Sequence, residues 1–172
     1  MSTKKYRGTG AIESTDYKDV QYVGKTKSGS PITITLENAI NMGNIDLTFA
    51  EKDDVVAEIT FTATYDNTDE VSDSDKEPYT IECDDTLTGA RAIMLGAGIF
   101  KINDDTVGLT RGGGKFSVER EFREINADGD RGPVKDRIVI DASKATLTLN
   151  TLEIISKVTD LYVGLAEETV GV

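Results

Sequence analysis

From Ile59 to Tyr65 every second residue is apolar (Ile59, Phe61, Ala63 and Tyr65), and the residues between them are threonines. Side chains on a strand alternate between its two faces, so this pattern sets a hydroxyl-rich face against a core face and has no helical counterpart. The alternation recurs along the chain. Ile32, Ile34 and Leu36 alternate with Thr33, Thr35 and Glu37, and Ile45, Leu47 and Phe49 with Asp46 and Thr48. Phe116, Val118 and Phe122 alternate with Ser117, Glu119, Glu121 and Arg123, although Arg120 interrupts the apolar row. These segments read as half-buried antiparallel strands. Turn chemistry separates them, at Lys27-Ser28-Gly29-Ser30, Asn103-Asp104-Asp105 and Gly112-Gly113-Gly114.

One stretch breaks the period. Between Ala145 and Ile154 the apolar phase slips from Ala145, Leu147 and Leu149 to Leu152 and Ile154, which predicts a bulge or a strand end near Asn150. Beyond it Leu152, Ile155, Val158, Leu161, Tyr162 and Leu165 recur at spacings of three and four, the period of a helix. Ser156 with Asp160 marks a weak start and Gly164 a stop. A further short turn is expected over Leu36 to Met42. The element list fits an antiparallel β-sandwich or closed β-barrel with one packed α-helix.

At 172 residues the chain suits a single domain, burying roughly 70% of its unfolded surface. It contains no histidine and one cysteine, Cys83, which removes Ser-His-Asp and Cys-His catalysis, a four-ligand zinc site and any internal disulfide. Residues 1–8 are polar and basic and the apolar runs are short, so neither a signal peptide nor a membrane span is expected. A net charge of -12 argues against wrapping nucleic acid, which requires clustered Lys and Arg. Residues 66–85 hold nine acids against one lysine. Asp66, Asp69, Glu70, Asp73 and Asp75 open this segment, which buries too little to be a core element and reads as a long loop or linker. It is either a solvated loop or an arm that contacts a neighbouring subunit.

Three motifs imitate chemistry without completing it. Gly112 to Lys115 suggests a phosphate loop, but the position five before Gly114 is Leu109 and Phe116 follows the lysine. A glycine hinge at a sheet corner is the better reading. Asn126, Asp128 and Asp130 open like a calcium loop whose sixth position is Arg131 rather than glycine. Glu119 and Glu121 share a strand face with no cleft implied around them, so no catalytic, cofactor or metal residues are assigned.

Leu95 to Arg137 reads LGAGIFKINDDTVGLTRGGGKFSVEREFREINADGDRGPVKDR, a strand, turn, strand, glycine hinge and strand, and resembles the opening of phage major tail (tail tube) proteins. Asp19 to Tyr65, with VGKTKSGSPITITLENAIN, GNIDLTF and EKDDVVAEITFTATY, resembles the closing part of the same family. The order is inverted here, so the chain looks circularly permuted. On that reading 8–65 is the family's C-terminal block, 66–92 an acidic linker or loop and 93–165 its N-terminal block, all within one domain. Engineering and natural rearrangement would give the same order. Permutation is tolerated where the old ends are close, so residues 1–8 and 166–172 should lie near each other, and the strand ending at Tyr65 near the one starting at Ile93.

The resemblance implies a structural virion protein, not an enzyme, and no cofactor. Its partners would be further copies of itself, in usually six-membered rings stacked into a tube, and other tail proteins. DNA would pass through the lumen without specific binding, no membrane would be involved, and the protein would be made in the host cytoplasm and reside in the virion tail. Gly112, Gly113 and Gly114 as a hinge, and Asp66, Asp69, Glu70, Asp73 and Asp75 as an arm, are the assembly candidates. A tube protein of a contractile tail or secretion machine would share this logic. A soluble ligand-binding β-module would want an aromatic-lined groove, whereas the chain has no Trp and 6% aromatic residues.

Overall fold

A computed structural model of the chain describes residues 4–44, 46–47, 54–66, 77–86, 88–153 and 158–168. Its strands are β1 (Lys5–Gly8), β2 (Lys18–Thr26), β3 (Pro31–Asn41), β4 (Ala57–Thr62), β5 (Tyr79–Glu82), β6 (Met94–Ile102), β7 (Asp105–Thr106), β8 (Thr110–Glu124), β9 (Ile138–Thr151) and β10 (Leu165–Glu168). A helical turn, α1 (Val158–Leu161), precedes the last strand.

Every strand pair is antiparallel, in the order β7-β6-β2-β3-β4-β9-β8, with β5 also on β3. β3 belongs to both layers. Its Thr33 to Leu36 stretch pairs with β5, while Ile40 and Asn41 pair with β4. Asn38 between them takes φ 47, a left-handed kink that Asn accommodates better than most residues, and its amide donates to the Asp19 carboxylate at 3.1 Å. This bend folds β4-β9-β8 over β6-β2-β3, giving a two-layer sandwich. Among the described residues β8 pairs only with β9 and β7 only with β6, so the sheet is open and the barrel alternative is set aside.

The alternating rows become the core. Ile59, Phe61, Leu147, Leu149, Val20 and Leu36 are all buried, and Thr60 and Thr148 share a hydroxyl hydrogen bond of 2.7 Å on the opposite face. At about 25 cal/mol per Å² such rows are the main stabilising contribution. Phe100 on β6 and Tyr79 on β5 reach β8 across the gap, Tyr79 meeting Phe116 with ring centroids 5.7 Å apart. The Gly29 and Asn103-Asp104 turns form where expected, at φ 92, 47 and 68. β9 ends at Thr151, as the phase slip near Asn150 predicts.

Several expectations need correction. Leu36 to Asn41 is strand rather than a turn, because Leu36, Ala39 and Ile40 are all needed in the core and the bulge at Asn38 restores their phase. Tyr65 is 40% exposed, since β4 ends at Thr62. Asp46 and Leu47 form no strand, although Leu47 packs on the core; Ile45 and Phe49 lie outside the described residues. Among the described residues of the expected helix, Val158–Leu161 (α1) are helical, while Leu152 and Leu165 are not. Leu161 and Tyr162 are buried, the Asn41 amide donates to the Leu161 carbonyl at 2.7 Å, and Gly164 at φ 70 turns Leu165 into β10. Its upstream residues 154–157 lie outside the described set.

The acidic segment is not wholly loop either. Tyr79 to Glu82 pairs with Thr33 to Leu36. Of the segments expected to meet near the chain ends, the described parts do so, β1 running against β10 from Lys5↔Glu168 to Gly8↔Leu165. By contrast, β4 and β6 are not neighbours in the sheet, because β2 and β3 stand between them.

Candidate assembly surface

β8 and β9 outrun the layer that covers them. Ala145, Leu147 and Leu149 are buried, whereas beyond Ser143 the hairpin continues as an arm with Phe122, Ile138 and Ile140 between 48% and 63% exposed. Phe122 faces Ile140 across the pair, next to Glu124 facing Ile138. A register shift between Glu121 and Phe122 leaves Asp141 as the extra residue, and its carboxylate accepts from Arg123 Nε at 2.8 Å. That hydrogen bond first, opposed by desolvation and then helped by the same guanidinium's charge, holds Asp141 below its ordinary pKa. The arm is therefore braced. At its tip the Asp130 carboxylate accepts from the Ala127 amide at 2.7 Å and from Arg137 at 2.8 Å, so the calcium-like aspartate serves a turn.

The other edge of β8 has no strand beside it among the described residues. An edge of this length with apolar residues along it is a template for pairing with another chain. At its start lies the glycine hinge. Gly112 and Gly113 take φ 86 and 79, conformations that only glycine adopts freely, while Thr110 opposes Thr151 and Gly114 opposes Leu149. The extra residues on β8 make a bulge that turns the strand across the sandwich. Gly114 is different: a Cβ there would run into the Thr148 carbonyl oxygen of the paired strand β9 and into the Phe100 ring of β6 in the facing layer, so the layers touch at this point.

Beside Gly114 the layers part into a pocket of about 370 Å³. Tyr22, Ile34, Met94, Phe100, Phe116 and Leu147 line it, and Gly96, Gly98, Gly113 and Lys115 help form its rim.

Arg120, the interruption in the β8 apolar row, also finds its reason here. Its Nη2 donates to Glu77 Oε2 at 2.9 Å and to the Tyr79 hydroxyl at 2.7 Å, pinning β5 against β8. Burial would raise the pKa of Glu77, yet the hydrogen bonds from Arg120 and Tyr79 and the guanidinium charge win and leave it lowered. A carboxylate with a depressed folded-state pKa adds stability above its unfolded value, ordinarily 4.5, and loses it as pH falls through the folded value. Glu77→Gln should therefore be less stable than the parent at pH 7, with the gap in urea midpoint closing towards pH 3. A gap independent of pH would show that the carboxylate charge is not what holds β5.

Of the residues singled out from sequence, Gly112, Gly113 and Gly114 sit together at the β8 hinge and the pocket rim. Asp66 is exposed just beyond β4. Asp69, Glu70, Asp73 and Asp75 lie outside the described residues. Sequence reasoning missed the arm and the pocket, because alternation identifies an apolar face but not where its covering layer stops. Among the described residues no group of three or more Cys, Asp or Glu is placed to hold a metal ion. Comparisons with protein-family models, with curated proteins and with solved structures find no match.

Proposed function

We propose that this protein is a structural subunit that assembles with copies of itself, most specifically a phage tail-tube protein whose rings stack around a channel. The observation that carries self-assembly is the β8–β9 arm, which presents Phe122, Ile138 and Ile140 on a braced hairpin beside a long unpaired strand edge. A contiguous exposed apolar surface of this kind belongs in an interface. Assignment to a tail tube rests on the two sequence blocks and on the adjacency of β1 and β10, which suits a permuted order. A net charge of -12 suits a channel wall that repels phosphates, so that a duplex slides rather than adheres.

Light scattering on protein eluting from a sizing column tests the reading. The mass should rise with concentration from 18.6 kDa to a defined multiple of it. A single 18.6 kDa species at every concentration would favour a ligand-binding module instead.

A further inference from the structure

We propose that the pocket between the layers receives Phe122 from a second copy of the chain. The inference rests on the self-assembly reading above and deepens it by naming the contact. Phe122 is 63% exposed, with Ile140 opposite it, so the arm ends in an apolar knob. The pocket supplies the matching hole, apolar on its floor and about 370 Å³ in volume. A cavity of about 150 Å³ already accommodates benzene, so a phenyl ring fits with room for part of a neighbouring side chain.

Geometry rules out self-filling. Lys115 is at the pocket and Phe122 lies along the same strand, and at about 3.3 Å per residue the stretch between them is roughly 23 Å long. A knob that cannot reach its own hole must find another molecule's. Charge favours the same pairing, because Glu121 and Glu124 lie close to Phe122 on the arm, the Arg123 between them is already paired with Asp141, and Lys115 stands at the pocket of a strongly acidic protein. Knob and hole are different surfaces, so the contact is head-to-tail and repeats until it closes into a ring or runs on as a filament.

The test uses sedimentation velocity on the parent, Phe122→Ala and Gly96→Leu. Neither substitution should disturb folding, since Phe122 is exposed and a Cβ on Gly96 meets nothing within 4 Å. Ala97→Trp, at an exposed pocket-lining position, replaces Gly96→Leu if thermal unfolding shows the latter misfolded. Each variant alone should need at least about tenfold more protein than the parent to assemble, as for loss of an aromatic anchor. Mixed in equal amounts, they should form dimers and stop there. The Phe122→Ala copy keeps an open pocket, the Gly96→Leu copy keeps its knob, and only one productive contact remains. Variants that assemble like the parent, or impaired variants whose mixture stays monomeric, overturn the contact while leaving self-assembly standing. A parent that never assembles overturns both.

Discussion

Gly114→Val should cost about 3 kcal/mol or more of folding stability, whereas Gly113→Ala should cost about 1–2 and Glu119→Gln less than about 0.5. At Gly114 a new Cβ would run into the Thr148 carbonyl oxygen and lie 2.5 Å from Phe100 Cζ. Thr148 cannot retreat, because it is held in the ladder opposite Lys115 on one side and Thr60 on the other. Phe100 is also constrained, being 3% exposed and in tilted contact with the Tyr22 ring at a centroid distance of 5.2 Å. Gly113, by contrast, has nothing within 4 Å of an added Cβ, and its substitution meets only the strain of φ 79. Urea denaturation of the three variants gives the ranking directly. A Gly114→Val protein within about 0.5 kcal/mol of the parent would mean that the layers do not touch at this point.

Removing the arm should separate folding from assembly. Replacing residues 122–141 by Asn-Gly joins Glu121 to Ala142 through a two-residue hairpin turn, the connection that best matches strand twist. The deleted residues hold exposed apolar side chains and the Arg123–Asp141 and Arg137–Asp130 pairs, all on or near the surface. The Arg120 contacts to Glu77 and Tyr79 stay intact. The shortened chain should keep the parent's circular dichroism and most of its thermal stability, yet remain monomeric where the parent assembles. Loss of folding would place the arm among the elements that hold the sandwich together, and undiminished assembly would move the interface elsewhere.

The sandwich was legible in the sequence wherever one face of a strand meets the core and the other meets water. Ile59 and Phe61 against Thr60, or Ile34 and Leu36 against Thr35, announce this by period alone. The glycine hinge was legible too, since consecutive glycines permit the positive φ found at Gly112 and Gly113. Legibility failed where distant segments decide the outcome. The apparent helical period through Leu161, Tyr162 and Leu165 mixes a short helical turn with a strand that exists because Lys5 to Gly8 lies opposite it. Tyr79 to Glu82 looked too polar to be a strand, but backbone pairing with β3, the Tyr79–Phe116 contact and the Arg120 hydrogen bonds hold it. Arg120 looked like an interruption for the same reason. The pocket depends on how two bent sheets part, which no local pattern encodes.

Negative-stain electron microscopy of the parent protein, imaged across a concentration series, tests the central claim most directly. The account predicts closed rings of uniform size with a central hole, stacking into tubes as concentration rises. Uniform single particles of monomer size at every concentration would contradict it.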